Sequence, residues 1–375
     1  MTSSVAHGST ATPAPSRLNG WDSIELWVGN ARAMTALLCN GFGFACTGYA
    51  GPETGVADRA SYLLEQGTIR LVVTAALVPE SEIWTHVRTH GDGAHDLAFL
   101  VDDAKAAFDS AVARGARPVR EPYEMADEHG VLRLSAVATY GDTRHTFVDR
   151  SAYHGHYAPG FVATGLPPNP AGPTVGLTAI DHVVGNVEAG RLAEWVSFYE
   201  DVFGFRQLRT FDETQIATQY SALRSTVVWN GGDVKLPLNE PAEGRGRSQI
   251  QEYLDAYHGP GVQHLALATA DIVAAIAALR ARGVRFLEAN DQYYADVQRR
   301  LAHLPLDWDT ARRLGILVDD ETDGFLLQLF SEPLTDRPTL FIEVIQRAGA
   351  HGFGEGNFKA LFESIEREQA RRGNL

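Results

Sequence analysis

An internal repeat restricts the fold of this chain more than any other feature of its sequence. The segment from Asp22 to the Phe-Gly-Phe that ends at Phe44 resembles the segment from Asp181 to the Phe-Gly-Phe that ends at Phe205. Later, and in the same order, HGDGAHDLAFL resembles HGPGVQHLALA, and Ala-Arg-Gly closes both segments. Two matched blocks in the same order are not expected by chance. The sequence therefore predicts two similar halves, and the alternative is one large mixed domain without duplication.

Each repeated block predicts a strand, a helix and further strands. The apolar run of residues 262–268 is bounded by Gly-Pro-Gly and by polar residues, as a buried strand would be. Asp271 is placed to cap the next helix, and Gly283 occupies the position of a left-handed C-terminal cap. Residues 284–287 are then expected to return as a strand. This pattern predicts four strand-helix-strand modules, two in each half.

Composition shifts suggest where the halves begin and end. Gly and Pro cluster in residues 153–178, which predicts a linker between a first half at 20–152 and a second half at 179–375. Residues 1–19 are rich in Ser, Thr, Ala and Pro, without the basic start and apolar centre of a signal peptide. They are interpreted as a disordered leader on a cytoplasmic protein.

Composition also excludes several classes of function. The 375-residue chain carries 47 acidic and 32 basic residues, a formal charge of −15, which argues against binding to nucleic acid or to an anionic membrane. No apolar run approaches the roughly 18 residues of a membrane span. The only cysteines, Cys39 and Cys46, form neither a disulfide framework nor a zinc-binding Cys-x-x-Cys pair.

The two halves differ at positions where metal ligands would matter. His182 corresponds to Ser23, and His264 corresponds to Asp96. Glu343 lies in an apolar predicted strand, where a carboxylate is costly to bury without a compensating cation or hydrogen bonds. Two imidazoles and one carboxylate form the facial triad of non-haem Fe(II) sites. Each histidine alone is more often an ordinary strand residue, but together they predict a metal site in the second half, with the first half as a scaffold without metal.

Several longer motifs carry a resemblance to a known family. They are PLNEP (237–241), SQIQEYL (248–254), GVQH (261–264), FLLQLF (325–330), FIEVI (341–345) and GFGEGNFKALF (352–362). From about residue 21 to the end, the chain resembles the 4-hydroxyphenylpyruvate dioxygenases of the bacterial type. The resemblance implies an α+β fold of four βαβββ modules, arranged as two tandem vicinal-oxygen-chelate domains that form open mixed β-barrels.

The resemblance also implies the chemistry and the site. Fe(II) held by His182, His264 and Glu343 would convert 4-hydroxyphenylpyruvate and O2 to homogentisate and CO2, with decarboxylation, ring hydroxylation and side-chain migration. The implied substrate pocket contains Ser225, Pro237, Asn239, Gln249, Gln263, Gln328, Phe330, Phe341, Phe353 and Phe358. Among these, Asn239, Gln263 and Phe358 are the implied catalytic residues. Relatives are commonly homo-oligomers through the first half, where Trp27 is a candidate interface residue.

The C-terminal stretch, residues 357–369, predicts a helix with an apolar stripe. Core packing is one interpretation of this stripe. The other adds a lid, in which the glycine-rich loop at 352–356 gives hinge freedom and Phe358 faces the pocket.

Three other functions compete with this interpretation. A 4-hydroxymandelate synthase would use the same substrate and metal but hydroxylate the benzylic carbon. That family tends to carry a smaller aliphatic residue at the position of Phe358, so Phe358, with Pro237 and Asn239, favours homogentisate. A metal-free drug-binding module would not need the three ligand candidates. An extradiol dioxygenase acting on a catechol fits poorly with Gln249, Gln263 and Gln328.

Overall fold

The computed structural model of the chain describes residues 13–164, 175–211, 222–244 and 246–373. The described residues form two mixed β-sheets, one in each half, with helices packed against them. Among these residues, no helix combines the length and the apolar character that a membrane crossing requires.

The first half contains two modules and a short additional strand. Its elements are β1 (Gly20–Trp27), α1 (Ala31–Asn40), β2 (Ala45–Ala50), β3 (Arg59–Gln66), β4 (Ile69–Ala76), α2 (Glu82–His90), β5 (Gly93–Leu100), α3 (Ala104–Ala113), β6 (Pro118–Asp127), β7 (Gly130–Ala138), β8 (Arg144–Tyr153) and β9 (Val162–Ala163). The strands are ordered β6-β7-β8-β5-β1-β4-β3-β2-β9, so the first strands of the two modules, β1 and β5, lie side by side in the middle.

The second half repeats this plan with additional helices. Its elements are β10 (Leu177–Asn186), α4 (Leu192–Phe203), β11 (Arg206–Phe211), β12 (Ala222–Trp229), β13 (Lys235–Ala242), α5 (Gln249–Tyr257), β14 (Gly261–Thr269), α6 (Ile272–Ala281), α7 (Asp291–Arg300), α8 (Trp308–Leu314), β15 (Leu317–Glu321), β16 (Gly324–Phe330), β17 (Phe341–Ala348) and α9 (Glu355–Arg372). The strand order is β11-β12-β13-β10-β14-β17-β16-β15.

The pairing registers make the duplication explicit. Antiparallel β1 and β5 place Ile24 opposite Leu97, and antiparallel β10 and β14 place Val183 opposite Leu265. β5 then pairs in parallel with β8, as β14 pairs in parallel with β17. The predicted fold class, an α+β chain of two repeated halves, is therefore confirmed.

The local predictions around β14 are correct with one exception. Asp271 accepts a hydrogen bond from the Ala274 amide at 3.0 Å and so caps α6, and Gly283 has a φ of +86° just beyond the helix. Residues 284–287, predicted as a strand, make only an isolated bridge through Phe286 to Ser331. Because α7 and α8 follow at this point, the segment leaves the sheet edge before a ladder forms.

Residues 13–19 differ from the predicted disordered leader because they lie against α3. Ser110 Oγ donates to the carbonyl of Ala14, and Arg114 Nη1 donates to that of Pro13. Leu18 is buried, and removing this apolar side chain from water favours an ordered segment. The rest of the predicted leader, residues 1–12, lies outside the described residues.

The predicted linker, residues 153–178, begins inside the first sheet. β8 extends to Tyr153, and β9 pairs antiparallel with β2. The Tyr157 hydroxyl lies 2.9 Å from Ser23 Oγ on β1. The residues before 165 therefore pack as part of the first half, and residues 165–174 lie outside the described part of the chain.

A continuous apolar core joins the two halves. Tyr199 of α4 lies at this junction, where its hydroxyl is 2.8 Å from Nε2 of His145 and 3.0 Å from Oγ1 of Thr139. Trp27, the candidate interface residue, is buried in the first half and stacks on His95 with ring centroids 3.4 Å apart. The expectation that Trp27 serves a surface interface is wrong, because its side chain faces the interior of the sheet.

Candidate metal centre

Three side chains on adjacent strands converge in the second half. His182 lies on β10, His264 on β14 and Glu343 on β17, and their ligand atoms all lie within 4.8 Å of one another. Glu343 Oε2 is 3.3 Å from His182 Nε2 and 3.2 Å from His264 Nε2. All three residues are buried. The structure therefore brings together the three residues that the sequence comparison singled out.

Both imidazoles are held through the ring nitrogen that faces away from Glu343. His182 Nδ1 lies 2.8 Å from Asp181 Oδ1, and His264 Nδ1 lies 2.9 Å from Gln263 Oε1. Since carboxylate and amide oxygens accept hydrogen bonds, each Nδ1 carries a proton, and Nε2 is the ring nitrogen that faces Glu343 and would bind a metal ion. Such outer contacts fix the tautomer and orientation of histidines that bind metal ions.

Arg347, four residues after Glu343 on β17, fixes Asp181 in turn. Arg347 Nε donates to Asp181 Oδ2 at 2.7 Å, and Nη2 donates to Oδ1 at 2.8 Å. The same guanidinium donates to the carbonyl of Gly352 at 2.6 Å and stacks on the ring of Phe353. Arg347 therefore connects the support of His182 with the loop that precedes α9.

The charges of this cluster compensate one another. Burial by itself would raise the pKa of Glu343, but the facing imidazoles of His182 and His264 outweigh it and lower the pKa to about 2. Burial also opposes ionisation of Asp181, yet Arg347 and His182 hold the pKa of its carboxyl well below its usual range. Two ionised carboxylates in a buried site are thus each matched by cationic or donor groups.

A small cavity of about 50 Å³ lies against the three residues. Its walls include seven of the pocket residues expected from the sequence: Ser225, Pro237, Asn239, Gln263, Gln328, Phe330 and Phe353. These residues lie on β12, β13, β14, β16 and the loop before α9, so the cavity follows one face of the second sheet. Gln328 is buried, and its Oε1 has no hydrogen-bond partner among the described residues.

Two of the expected pocket residues whose side chains are described do not line this cavity. Gln249 and Phe341 line a neighbouring cavity of about 40 Å³ that shares Gln263 with the first. Phe341 nevertheless stacks on the His264 ring, with centroids 4.7 Å apart. Gln249 is buried, and neither amide atom has a partner among the described residues. The side chain of Phe358 lies outside the described part of the structure.

Helix α9 covers the cavity. Leu361 and Phe362 line it, and Phe353 in the preceding loop packs edge to face on the His182 ring at 5.1 Å between centroids. Arg372 near the end of α9 donates to Glu252 of α5 at 2.8 Å, which fastens the helix to the second half. The predicted helix at 357–369 is therefore present and somewhat longer, and at least part of its apolar stripe serves the core.

The sequence comparison missed Arg347 and the role of Asp181. It selected positions where the halves differ, and this pair is shared: Asp22 and Arg150 form the same two-pronged contact in the first half. A search for acidic and basic residues common to both repeats would have found both pairs.

The donor set fits Fe(II), since two imidazole nitrogens and one carboxylate oxygen are the facial triad of non-haem iron sites. Two protein-family models match the chain. Residues 15–158 match the model of the N-terminal part of hydroxyphenylpyruvate dioxygenase, and residues 179–329 match the model of the glyoxalase/bleomycin resistance protein/dioxygenase superfamily. The fold and the site thus place the chain in this superfamily.

Individual relatives narrow the assignment. A 4-hydroxyphenylpyruvate dioxygenase of Dictyostelium discoideum is 45% identical over 96% of this chain and 100% of its own length. One from Aspergillus fumigatus is 42% identical over 98% of both chains. A solved triple mutant of 4-hydroxymandelate synthase from Streptomyces coelicolor superimposes with a TM-score of 0.84 at 35% identity, covering 95% of this chain and 99% of that one. The chain belongs to the 4-hydroxyphenylpyruvate dioxygenase family, and the resemblance seen in its sequence motifs is confirmed.

Proposed function

We propose that this protein is an Fe(II)-dependent dioxygenase that converts 4-hydroxyphenylpyruvate and O2 to homogentisate and CO2. The observation that carries the proposal is the convergence of His182, His264 and Glu343 beside a buried cavity, in a chain of this family. Fe(II) held by these residues would supply the site at which the 2-oxo acid group and O2 meet. Because the substrate brings its own oxo acid, no separate co-substrate is required.

The residues of the cavity orient the substrate. Gln328 lies on β16 two positions before Phe330, and Phe330 is the residue paired with Glu343. The unpartnered Oε1 of Gln328 is therefore displaced along the strand from the metal ligands. We expect it to accept a hydrogen bond from the phenol hydroxyl of the substrate. Asn239 and Ser225, paired across β12 and β13, offer neutral donors and acceptors beside the same space. Neutral amides bind a phenol and a keto acid without adding charge to a buried site.

Apolar side chains keep water from the reaction. Phe330, Phe353, Leu361 and Phe362 surround the cavity with surfaces that offer no hydrogen bonds. The described cavity of about 50 Å³ is small for an arylpyruvate, so α9 and its preceding loop have to shift outward when substrate enters. Arg347, which contacts that loop, would keep His182 oriented during the movement.

The direct test is anaerobic reconstitution of the metal-free protein with Fe(II), followed by oxygen uptake with 4-hydroxyphenylpyruvate and chromatographic identification of the product. Homogentisate should form in step with oxygen consumption and disappear in Glu343→Ala. The surface variant Glu194→Ala, which removes an exposed carboxylate that does not line the cavity, should behave as the native protein. Turnover of Glu343→Ala at the native rate would exclude the proposed site, and bound iron without turnover would exclude the substrate.

A second product is favoured by one observation, the similarity to the 4-hydroxymandelate synthase structure. The two reactions share substrate and metal and differ in the carbon that is hydroxylated. The family resemblance implies that Phe358 steers the product toward homogentisate. Phe358→Ile should therefore divert part of the product to 4-hydroxymandelate, and a variant that still makes homogentisate alone would show that Phe358 is not the steering residue.

We also propose that the halves divide the work, with catalysis in residues 179–375 and a scaffold and oligomer contact in 20–152. Large apolar side chains that remain exposed among the described residues are Leu37, Leu77, Val78, Trp84, Val119, Val162 and Val273, and six of these seven precede the second half. Light scattering on Trp84→Glu tests the interface. A smaller oligomer than the native protein supports it, and an unchanged mass places the contact elsewhere.

A further inference from the structure

A second cluster of metal-ligating side chains lies in the first half, where no metal ligand was expected. His86 and His90 are four residues apart on α2 and so share one helix face, and Asp142 lies in the turn between β7 and β8. Asp142 Oδ2 is 2.9 Å from His90 Nε2 and 3.8 Å from His86 Nδ1. The ligand atoms of the three residues all lie within 4.8 Å of one another.

A residue of the second half orients both imidazoles. The carbonyl oxygen of Tyr257 lies 2.6 Å from His90 Nδ1, which must therefore donate a hydrogen bond to it. The Tyr257 hydroxyl lies 3.3 Å from His86 Nε2. With these nitrogens occupied by Tyr257, His90 Nε2 and His86 Nδ1 remain to face Asp142. This is the outer support that metal-bound histidines have in proteins, and it resembles the support of His182 by Asp181.

His86 supplies an independent observation that points to a ligand. Its side chain is 2% exposed, and Nδ1 has no hydrogen-bond partner among the described residues, since 3.8 Å to Asp142 is too long for one. A buried ring nitrogen without a partner is costly unless something binds it.

The surroundings suit a cation that enters from solvent. The side chain of Asp142 is 58% exposed, while His90 is buried, so the cluster opens on the carboxylate side. The His95 ring packs edge-on against the His86 ring, with centroids 5.1 Å apart. The face of the His95 ring stacks on Trp27.

We propose that His86, His90 and Asp142 form a second metal site, which binds a divalent transition metal of the Zn(II) type. Two imidazole nitrogens and one carboxylate oxygen supply three ligands of a tetrahedral site, and water completes the fourth. The site joins the halves: Tyr257 precedes β14, and Gly141, beside Asp142, approaches the Pro260 carbonyl so closely that an added Cβ would lie 2.3 Å from it. Bound metal would hold this junction together.

The test is a titration of the metal-free full-length protein with Zn(II), followed by calorimetry. The native protein should bind two equivalents, one at each cluster. Glu343→Ala should retain the equivalent that belongs to the new site, and the double variant Glu343→Ala/Asp142→Ala should bind none. The matched control is His129→Ala, which removes an exposed histidine outside both clusters and should still bind two.

Cobalt(II) gives a second readout that is independent of enzyme activity. In Glu343→Ala, the new site should produce the visible absorption of a tetrahedral Co(II) complex, and His90→Gln in that background should abolish it. Circular dichroism melting of the metal-free variants shows whether they fold. A single equivalent of Zn(II) in the native protein, or a second equivalent that survives Asp142→Ala in a folded protein, would overturn the proposal, whatever the outcome of the dioxygenase assay.

Discussion

The two halves of the molecule use one frame for different purposes. In each, an aspartate on the first strand is held by an arginine on the last strand of the same sheet segment: Asp22 by Arg150, and Asp181 by Arg347. In the second half this aspartate orients His182. In the first half the next residue is Ser23, whose hydroxyl contacts Asp22 and Tyr157 instead. The ion pair is therefore part of the repeated scaffold, and one of the repeats uses it to support an imidazole.

The registers identify the remaining counterparts of the candidate metal ligands. β5 pairs Asp96 with Arg144, and β14 pairs His264 with Phe341, so Thr146 takes the position of Glu343 two residues further along. Asp96 accepts hydrogen bonds from Arg144 Nε at 2.6 Å and from the Thr146 amide at 3.0 Å. The guanidinium of Arg144 thus lies where the second half has the ring of Phe341. The carboxylate of Asp96 therefore has hydrogen-bond donors from the protein itself.

The cavities of the two halves also differ, both in volume and in the side chains that line them. The first half contains the larger space, about 440 Å³, against about 50 Å³ beside the candidate metal centre. Charged groups such as Glu25, Arg59 and Arg120 line the larger cavity, whereas aromatic and amide groups line the smaller one. Size alone therefore does not identify the reactive site. What distinguishes the smaller cavity is the set of three ligand atoms beside it, from His182, His264 and Glu343, that face one point.

The largest expected effect comes from giving the second half a residue of the first. Glu343→Thr copies Thr146 and removes the carboxylate ligand. We expect Fe(II) binding at this centre to be lost and the rate of homogentisate formation to fall about 1,000-fold, because metal polarisation contributes several kcal/mol to catalysis. Steady-state oxygen uptake and iron content measure both. Thr146→Ser, at the matching position, is the control and should leave both unchanged.

The shared ion pair gives a smaller and more discriminating effect. Asp181→Asn keeps the shape of the side chain but weakens the hold on His182, and we expect Fe(II) affinity or activity to fall about 10- to 100-fold. Asp22→Asn removes the same charge in the first half. It should lower the free energy of unfolding by about 3 kcal/mol, because Arg150 loses its buried partner, without changing activity per folded molecule. Equal losses of activity in both variants would mean that the halves are not functionally distinct.

The sequence was sufficient to predict the candidate metal ligands, but not the residues that orient them. His182, His264 and Glu343 are visible because each replaces a different residue in a repeated pattern. Arg347 is invisible to the same comparison because Arg150 matches it. Gln249 was grouped with the residues of the cavity beside the metal ligands, but it lines the neighbouring cavity instead. The spacing of residues in the sequence does not indicate which side of α5 faces which cavity. The strand expected at 284–287 failed because the inserted α7 and α8 have no counterpart in the first half.

Gln263 provides a third comparison, since its counterpart in the first half is His95. Gln263 holds Nδ1 of His264 through a neutral amide, which is a weaker acceptor than the carboxylate of Asp181. Gln263→Leu should therefore lower Fe(II) affinity by about 10-fold, near the low end of such effects. His95→Gln should leave it unchanged, since His95 stacks on Trp27 and lies outside the candidate centre. Fe(II) titration of the two metal-free variants makes the comparison, and an equal loss in both would contradict it.

The smallest effect is expected at Thr146, which occupies the position of the candidate ligand Glu343 and donates a hydrogen bond to Asp96. Thr146→Val keeps the shape of the side chain and removes the hydroxyl that donates to Asp96. Asp96 keeps its bonds from Arg144 and from the Thr146 amide, so the loss should be about 1.5 kcal/mol in the free energy of unfolding. Urea denaturation measures it, with Thr146→Ser as the variant that retains the donor. A fall in homogentisate formation in stable Thr146→Val protein would show that the polar network of the first half reaches the candidate metal centre, and would contradict its assignment as scaffold.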